Sequence, residues 1–152
     1  MLRLLGNIIW FVCGGIFLGL GWWILGIIMF CTIVLIPFGR ASLVIGSFCF
    51  LPFGKELISR KELSGKEDIG TGALGVIGNI IWIVCAGIWL CFGHLISGIV
   101  CCCTIIGIPF GIQHFKIAGA CFAPIGKTVV TKEVAAAAIR ANAEKKVEDL
   151  KR

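Results

Sequence analysis

Aspartate and glutamate are scarce, eight in 152 residues, and they are absent from residues 1–55 and 69–132. Carboxylates are the usual carriers of proton or sodium coupling inside a membrane, so this gap argues against an ion-coupled transporter. The chain also lacks a glycine-rich phosphate loop, a catalytic triad and any Cys-x-x-Cys or other metal-ligand spacing. Without such groups no enzymatic activity, metal or cofactor is expected. No small-x-small cleavage site accompanies the first apolar run, which also exceeds the roughly 7 to 15 residues of a signal-peptide core. Met1 is therefore expected to be the mature start.

Charge of either sign is missing over long distances, from Leu4 to Gly39 and again for the 47 residues from Ile69 to Phe115. The chain is 59% hydrophobic and 14% charged, with a mean hydropathy of +1.04. An ordinary globular protein is about 45 to 50% apolar and about 25% charged. Apolar runs of roughly 18 residues or more are read as membrane spans.

What is present is an internal repeat. GNIIW at residues 6–10 recurs at 78–82, and residues 6–55 match 78–127 at 27 of 50 positions without a gap. Such self-similarity marks two copies of one structural unit. One helix over residues 4–39 would reach roughly 54 Å, against a hydrocarbon core of about 30 Å, so two spans per copy are expected. GLGWW at 19–23 and CFGHL at 91–95 are the natural breaks, with glycines for a turn and Trp22 and Trp23 for the membrane boundary. The expected spans are 4–20, 22–38, 74–91 and 94–110.

A second unit follows each pair of spans, bracketed by Pro-x-Gly turns: Pro37 to Gly39, Pro52 to Gly54, Pro109 to Gly111 and Pro124 to Gly126. The residues between, 40–51 and 112–123, would make helices of about 18 Å, too short to cross, so an interfacial or re-entrant helix is expected. Gln113, His114 and Lys116 suit a helix lying at the headgroups. With two crossings per copy, Arg3, Arg40, the loop at 55–68, Lys116 and the basic tail all fall on one side, which the positive-inside rule makes the cytoplasm. The two copies then run the same way, related by an axis along the membrane normal.

This gives an all-α polytopic membrane fold. A first membrane repeat occupies 4–55, a cytosolic linker 56–72, a second repeat 73–127, and a cytosolic C-terminal helix 128–152. The central loop from Gly54 to Gly72 carries four basic and four acidic residues. The alanine-rich tail is expected to be helical from residue 132, capped by Thr131. Along it Ala136, Ile139, Ala143, Val147 and Leu150 recur on one side. That stripe suits loose packing on the membrane face or self-association, and the tail's net positive charge suits anionic lipid. No nucleic-acid recognition motif accompanies the charge.

Polar residues inside the apolar runs are the candidate sites. Asn7 and Asn79 lie one turn into each copy, with Gly14 and Ala86 seven residues on. An amide beside small side chains suits a hydrogen bond across a close helix contact, and lining a water path is the alternative. Gly15 and Gly19 form a GxxxG, a helix-packing motif. Thr32 and Thr104 can return their hydroxyls to the backbone one turn back. His94 replaces Trp22 in the second copy, as an interfacial polar aromatic or as a ligand or proton relay. Trp10 with Phe17 and Trp82 with Trp89 form seven-spaced aromatic pairs suited to packing or lipid anchoring. Of nine cysteines, Cys13, Cys31 and Cys49 recur as Cys85, Cys103 and Cys121. The Cys101 to Cys103 run splays its side chains around a helix, so the cysteines are expected to be reduced apolar fillers.

The order GNIIW, IPFG, then IIGIPFGIQHFKIAGACFAPIGK and a basic, alanine-rich tail resembles the YccF family of bacterial inner-membrane proteins. The likeness covers nearly the whole chain. RASLV at 40–44 departs from the IQHFK of the second copy, so roles of Gln113 and Lys116 do not carry back to the first. The resemblance implies a tandem inner-membrane component domain, and no biochemical activity comes with it; that both termini are cytoplasmic is expected from the charge placement above. Two functions follow from the residues. One is a homo-oligomeric channel or pore for ions or small solutes, consistent with glycine-rich helices and short half-membrane segments. The other is a non-transporting scaffold or adaptor that recruits a cytosolic or membrane partner.

Overall fold

Each copy of the repeat folds as one long helix and one short return helix. In the computed structural model, which describes residues 2–31 and 33–151, the first copy comprises α1 (Leu2–Trp10), a wide π-turn (Phe11–Gly15), α2 (Ile16–Phe30) and α3 (Ile36–Phe50). The second comprises α5 (Ala73–Trp82), a matching π-turn (Ile83–Gly87), α6 (Ile88–Cys102) and α7 (Ile108–Cys121). Gly14 has φ +145, a conformation that side chains rarely adopt, and kinks the first long helix there. Ala86 stands at the equivalent position and stays helical, so residues Ala73–Cys102 form one helix of 30 residues, long and apolar enough to cross a membrane.

The turns expected at GLGWW and CFGHL are not turns. Both stretches lie in the middle of α2 and α6, because glycine permits a break but nothing there stops the helix. The chain reverses one stretch later, around 33–35 and at 103–107, so the expected spans 22–38 and 94–110 each straddle a reversal. Pro37 and Pro109 also do not make turns; each sits in the first turn of the return helix, where a missing N–H costs nothing. Pro52–Gly54 and Pro124–Gly126 do reverse the chain, with Gly54 at φ +93 and Gly126 at φ +89. The short helices over 40–51 and 112–123 are therefore the return arms themselves. Gly26 and Gly39 let α2 and α3 meet backbone to backbone: a Cβ on Gly26 would stand 3.0 Å from the Gly39 carbonyl, and one on Gly39 2.8 Å from the Gly26 carbonyl.

The central linker is more than a connector. Lys55–Ser59 forms β1, which pairs antiparallel with β2 (Lys127–Thr131), Leu57 opposite Val129. Neither strand could form alone, since its partner lies 72 positions away in the chain. Ser59 and Glu62 make a capping box for the short α4 (Arg60–Ser64), and α8 (Lys132–Leu150) is capped by the Thr131 hydroxyl. Asn142 of α8 donates to the Glu62 carbonyl. Arg3 pairs with Glu133 at 2.7 Å, tying α1 to the start of α8 and holding the Glu133 carboxyl below its usual range.

After α4, Asp68 organises the loop. Its carboxylate takes both Arg60 guanidinium contacts, at 2.5 and 3.2 Å, and accepts from the Gly70 and Thr71 amides, each at 2.9 Å. The Arg60 hydrogen bonds come first, then those of Thr71, in holding the carboxyl below the usual range. A depressed carboxylate contributes order that is present above its unfolded value, near pH ~4, and is lost as pH falls through the folded one. Amide exchange at Gly70 and Thr71 should therefore stay slow from neutral pH down to about 4 and rise only below it. Asp68→Asn should raise it already at pH 7, read by hydrogen–deuterium exchange.

The two copies pack about a pseudo-two-fold axis. Contacts recur with 72 added to one partner and subtracted from the other: Trp10 lies 6.4 Å from Phe110 and Phe38 6.5 Å from Trp82. Likewise the Arg60 amide donates to Gly126 and the Lys132 amide to Gly54. Phe53, just past α3, lies 5.6 Å from Phe110 at the start of α7. Phe38, at the start of α3, lies near Trp82, which binds the last residue of α7. Thus α3 and α7 run antiparallel to each other, across the axis, with the ribbon over them.

Candidate functional site

Repetition of GNIIW has a structural reason. Asn and Trp three residues apart share one helix face, and in both copies that face grips the end of the return helix. The Asn7 amide donates to the Phe53 carbonyl at 3.1 Å and accepts from its N–H at 2.9 Å. Asn79 does the same to Ile125, at 3.2 and 3.0 Å. The Trp10 indole donates to the Cys49 carbonyl at 2.6 Å and Trp82 to Cys121 at 2.8 Å. Those carbonyls belong to the last turns of α3 and α7, where helix acceptors have no partner of their own. Each Asn-x-x-Trp pair is therefore a clamp made by a side chain on a distant helix end. The amide partners are backbone groups after the return helix, not the small residues Gly14 and Ala86.

The tryptophans thus act as polar donors, a role that their reading as aromatic pairs missed. Trp10 and Trp82 are fully buried, whereas Phe17 and Trp89 are about three-quarters exposed, so the seven-spaced pairs do not share a face. The π-turn between them accounts for this, since it shifts the helical phase after residues 10 and 82. Gly15 lies against the Trp10 ring and Gly19 against Phe50 of α3, so the GxxxG accommodates aromatic rings within the copy.

Between the clamps lies a buried polar chain. Trp22 donates through Nε1 to Nε2 of His94 at 3.2 Å, and Nδ1 of His94 lies 3.1 Å from Nδ1 of His114. Trp22 and His94 are the same position of the two copies, so they meet across the axis. The interfacial positions expected for both histidines do not hold: both are fully buried, and Trp22 with them. The indole can only donate, so His94 accepts at Nε2 and, when neutral, carries its proton on Nδ1, donating to His114. A chain that ends on an indole N–H cannot pass a proton on, which argues against a relay. Trp10 covers His114, with ring centroids 4.3 Å apart, and Trp22 stacks on Trp82 at 5.5 Å and 14°.

Ser42 is the first-copy counterpart of His114. It is fully buried, and its Oγ has no hydrogen-bond partner. An unpaired buried hydroxyl costs about 1 to 3 kcal/mol. Ser42→Ala should accordingly raise stability, by about 0.5 to 1.5 kcal/mol once lost packing is subtracted. Thermal unfolding in detergent checks the sign.

The remaining sequence candidates separate. Gln113 is buried under the ribbon, lining a cavity of about 320 Å³ with Lys55, Glu56 and Lys116. Lys116 is half exposed and 4.0 Å from Glu56. Thr104 donates to the Cys101 carbonyl at 3.2 Å and accepts from the Gly107 amide at 3.0 Å, closing the reversal. Thr32 lies outside the described residues. Among the described residues no three His, Cys, Asp or Glu side chains converge as a metal site would.

Comparison with known proteins agrees with this tandem design. The YccF inner membrane component domain matches twice, at residues 5–55 and 77–127. Inner membrane protein YccF of Escherichia coli (strain K12) is 39% identical over 150 residues, covering 97% of this chain and all of that protein. The protein of the same name from Shigella flexneri is similar to the same extent. No solved structure matches the chain. Two domain matches that each end at a ribbon strand, together with likeness along the full length of named relatives, place the chain in the YccF family of inner membrane proteins.

Proposed function

We propose that the chain is a non-transporting membrane scaffold whose polar face presents a rigid platform to a partner. The observation that carries this reading is the closed axis. Trp22, Trp82, Ile45 and Ile117 are all fully buried between the copies, filling the axis where an aqueous path through the described residues would run. A pore made of several chains would have to be lined by the outward faces of α2 and α6, which carry no charged residue.

The platform consists of the β1–β2 ribbon, α4 and α8, tied together by reciprocal backbone bonds. On α8, Ala135 is buried while Ile139, Val147 and Leu150 are more than half exposed. The apolar stripe thus faces away from the rest of the chain, as a docking face for another protein would. Purified protein in planar bilayers should give no conductance above protein-free membranes. A photo-crosslinker at Ile139 or Val147 in cells should form discrete adducts that one at Ala135 does not. Reproducible unitary currents would overturn the reading.

A further inference from the structure

Where the bilayer meets this surface follows from distances. The reversal between α6 and α7 exposes Ile105 by 88% and Ile106 by 81%, and that between α2 and α3 exposes Ile33 by 87%. No charged residue lies in or beside the second reversal from Ile69 to Phe115, nor around the first from Leu4 to Gly39. Turns that emerged into water would leave bare isoleucine at their tips. Among the described residues the polar side chains there also bond internally, as hydrocarbon favours: Thr104 bonds within the turn, and the thiols of Cys31 and Cys103 reach back to the carbonyls of Ile27 and Ile99.

The turns are nonetheless close to the polar face. From Ile108 to Lys116 is eight residues of helix, about 12 Å, and the Lys116 ammonium stands 4.0 Å from Glu56 on the ribbon. In the first copy a single cavity of about 670 Å³ is lined both by Ile36 and Pro37 at the reversal and by Asp68 and Thr128 of the polar face. A hydrocarbon core about 30 Å thick does not fit between those groups. The long helix Ala73–Cys102 would reach about 45 Å if upright, yet its far end returns to α7 beneath the ribbon. It must therefore lie strongly inclined, as the antiparallel α3 and α7 already require.

We infer that both hairpins are buried in a single leaflet, entering from the charged side and never reaching the opposite surface, so that the ligand of the apolar face is the acyl-chain layer of the cytoplasmic leaflet. The charged side is assigned to the cytoplasm by its excess of lysine and arginine. This goes beyond the scaffold reading and does not depend on it, because that reading rests on the closed axis.

The test uses the full-length chain carrying Ile106→Cys, with Ser64→Cys on the polar face as control. Peptide mass spectrometry reads labelling by a maleimide that cannot cross the inner membrane. Position 106 should label at least about tenfold less than in denatured protein, both in intact cells and in inverted membranes. Position 64 should label in inverted membranes only. A fluorophore at position 106 in phosphatidylglycerol–phosphatidylethanolamine vesicles should be quenched by nitroxides on the acyl chains. Labelling of position 106 from intact cells as in denatured protein would overturn the single-leaflet placement, and labelling of position 64 from that side would overturn its sidedness. Failure on either count leaves the scaffold reading standing.

Discussion

Truncating Trp82 to alanine should lower stability by about 3 to 5 kcal/mol. The side chain is fully buried, stacks on Trp22 at 5.5 Å, lies 6.5 Å from Phe38 and binds the Cys121 carbonyl at 2.8 Å. Its loss opens a cavity on the pseudo-two-fold axis and also strands a helix-end carbonyl. Two variants separate these causes. Trp82→Phe keeps most of the ring and should lose only about 1 to 2 kcal/mol, the share of the hydrogen bond. Trp10→Phe should cost a similar amount, since Trp10 makes the same bond to Cys49. Unfolding midpoints in detergent should fall in the order wild type, Phe variants, alanine variant. An alanine variant as stable as wild type would mean that the two copies do not share this core.

Asn79→Leu should cost about 1 to 3 kcal/mol, because the N–H and C=O of Ile125, both half-buried, lose their partners at once. Asn7→Leu should cost about as much at Phe53. Asn79→Asp keeps an acceptor for the Ile125 N–H and loses the donor to its carbonyl, so it should fall between wild type and leucine. The ranking distinguishes a clamp from a polar lining. A lining residue exposed to water would tolerate aspartate better than leucine for solubility but would leave the unfolding midpoint unmoved. Double substitution of Asn79 and Trp82 should be less than additive, since both act on one helix end.

The two clamps show how much was legible beforehand. GNIIW announces itself by recurring, and its asparagine stands out as a polar residue in an apolar run. Its partner could not be found in the same way, because the groups it binds are backbone atoms 46 positions away at Phe53 and Ile125. Main-chain acceptors leave no trace in residue type. In a sequence tryptophan reads as an apolar ring, whereas its one N–H is what the structure uses. The break assigned to GLGWW failed for a related reason. Glycine and a pair of tryptophans permit a turn at a membrane boundary, but Gly19 of that stretch packs on Phe50 to bring helices together, as Gly26 further along does on Gly39. Close approach and chain reversal both call for glycine, and composition does not tell them apart.

The amino-acid order by itself determined the membrane setting, the tandem repeat, the collection of charge at the loops and tail, and the capped terminal helix. Each of these depends on local composition or on spacing along one element, which the chain carries without reference to its partners. Only the tertiary structure decided where the helices reverse, that the linker and the tail form one antiparallel ribbon, and that His94 meets Trp22 inside the core. Those features pair groups about 72 positions apart, and which of many apolar faces meet depends on the summed fit of both copies about their axis.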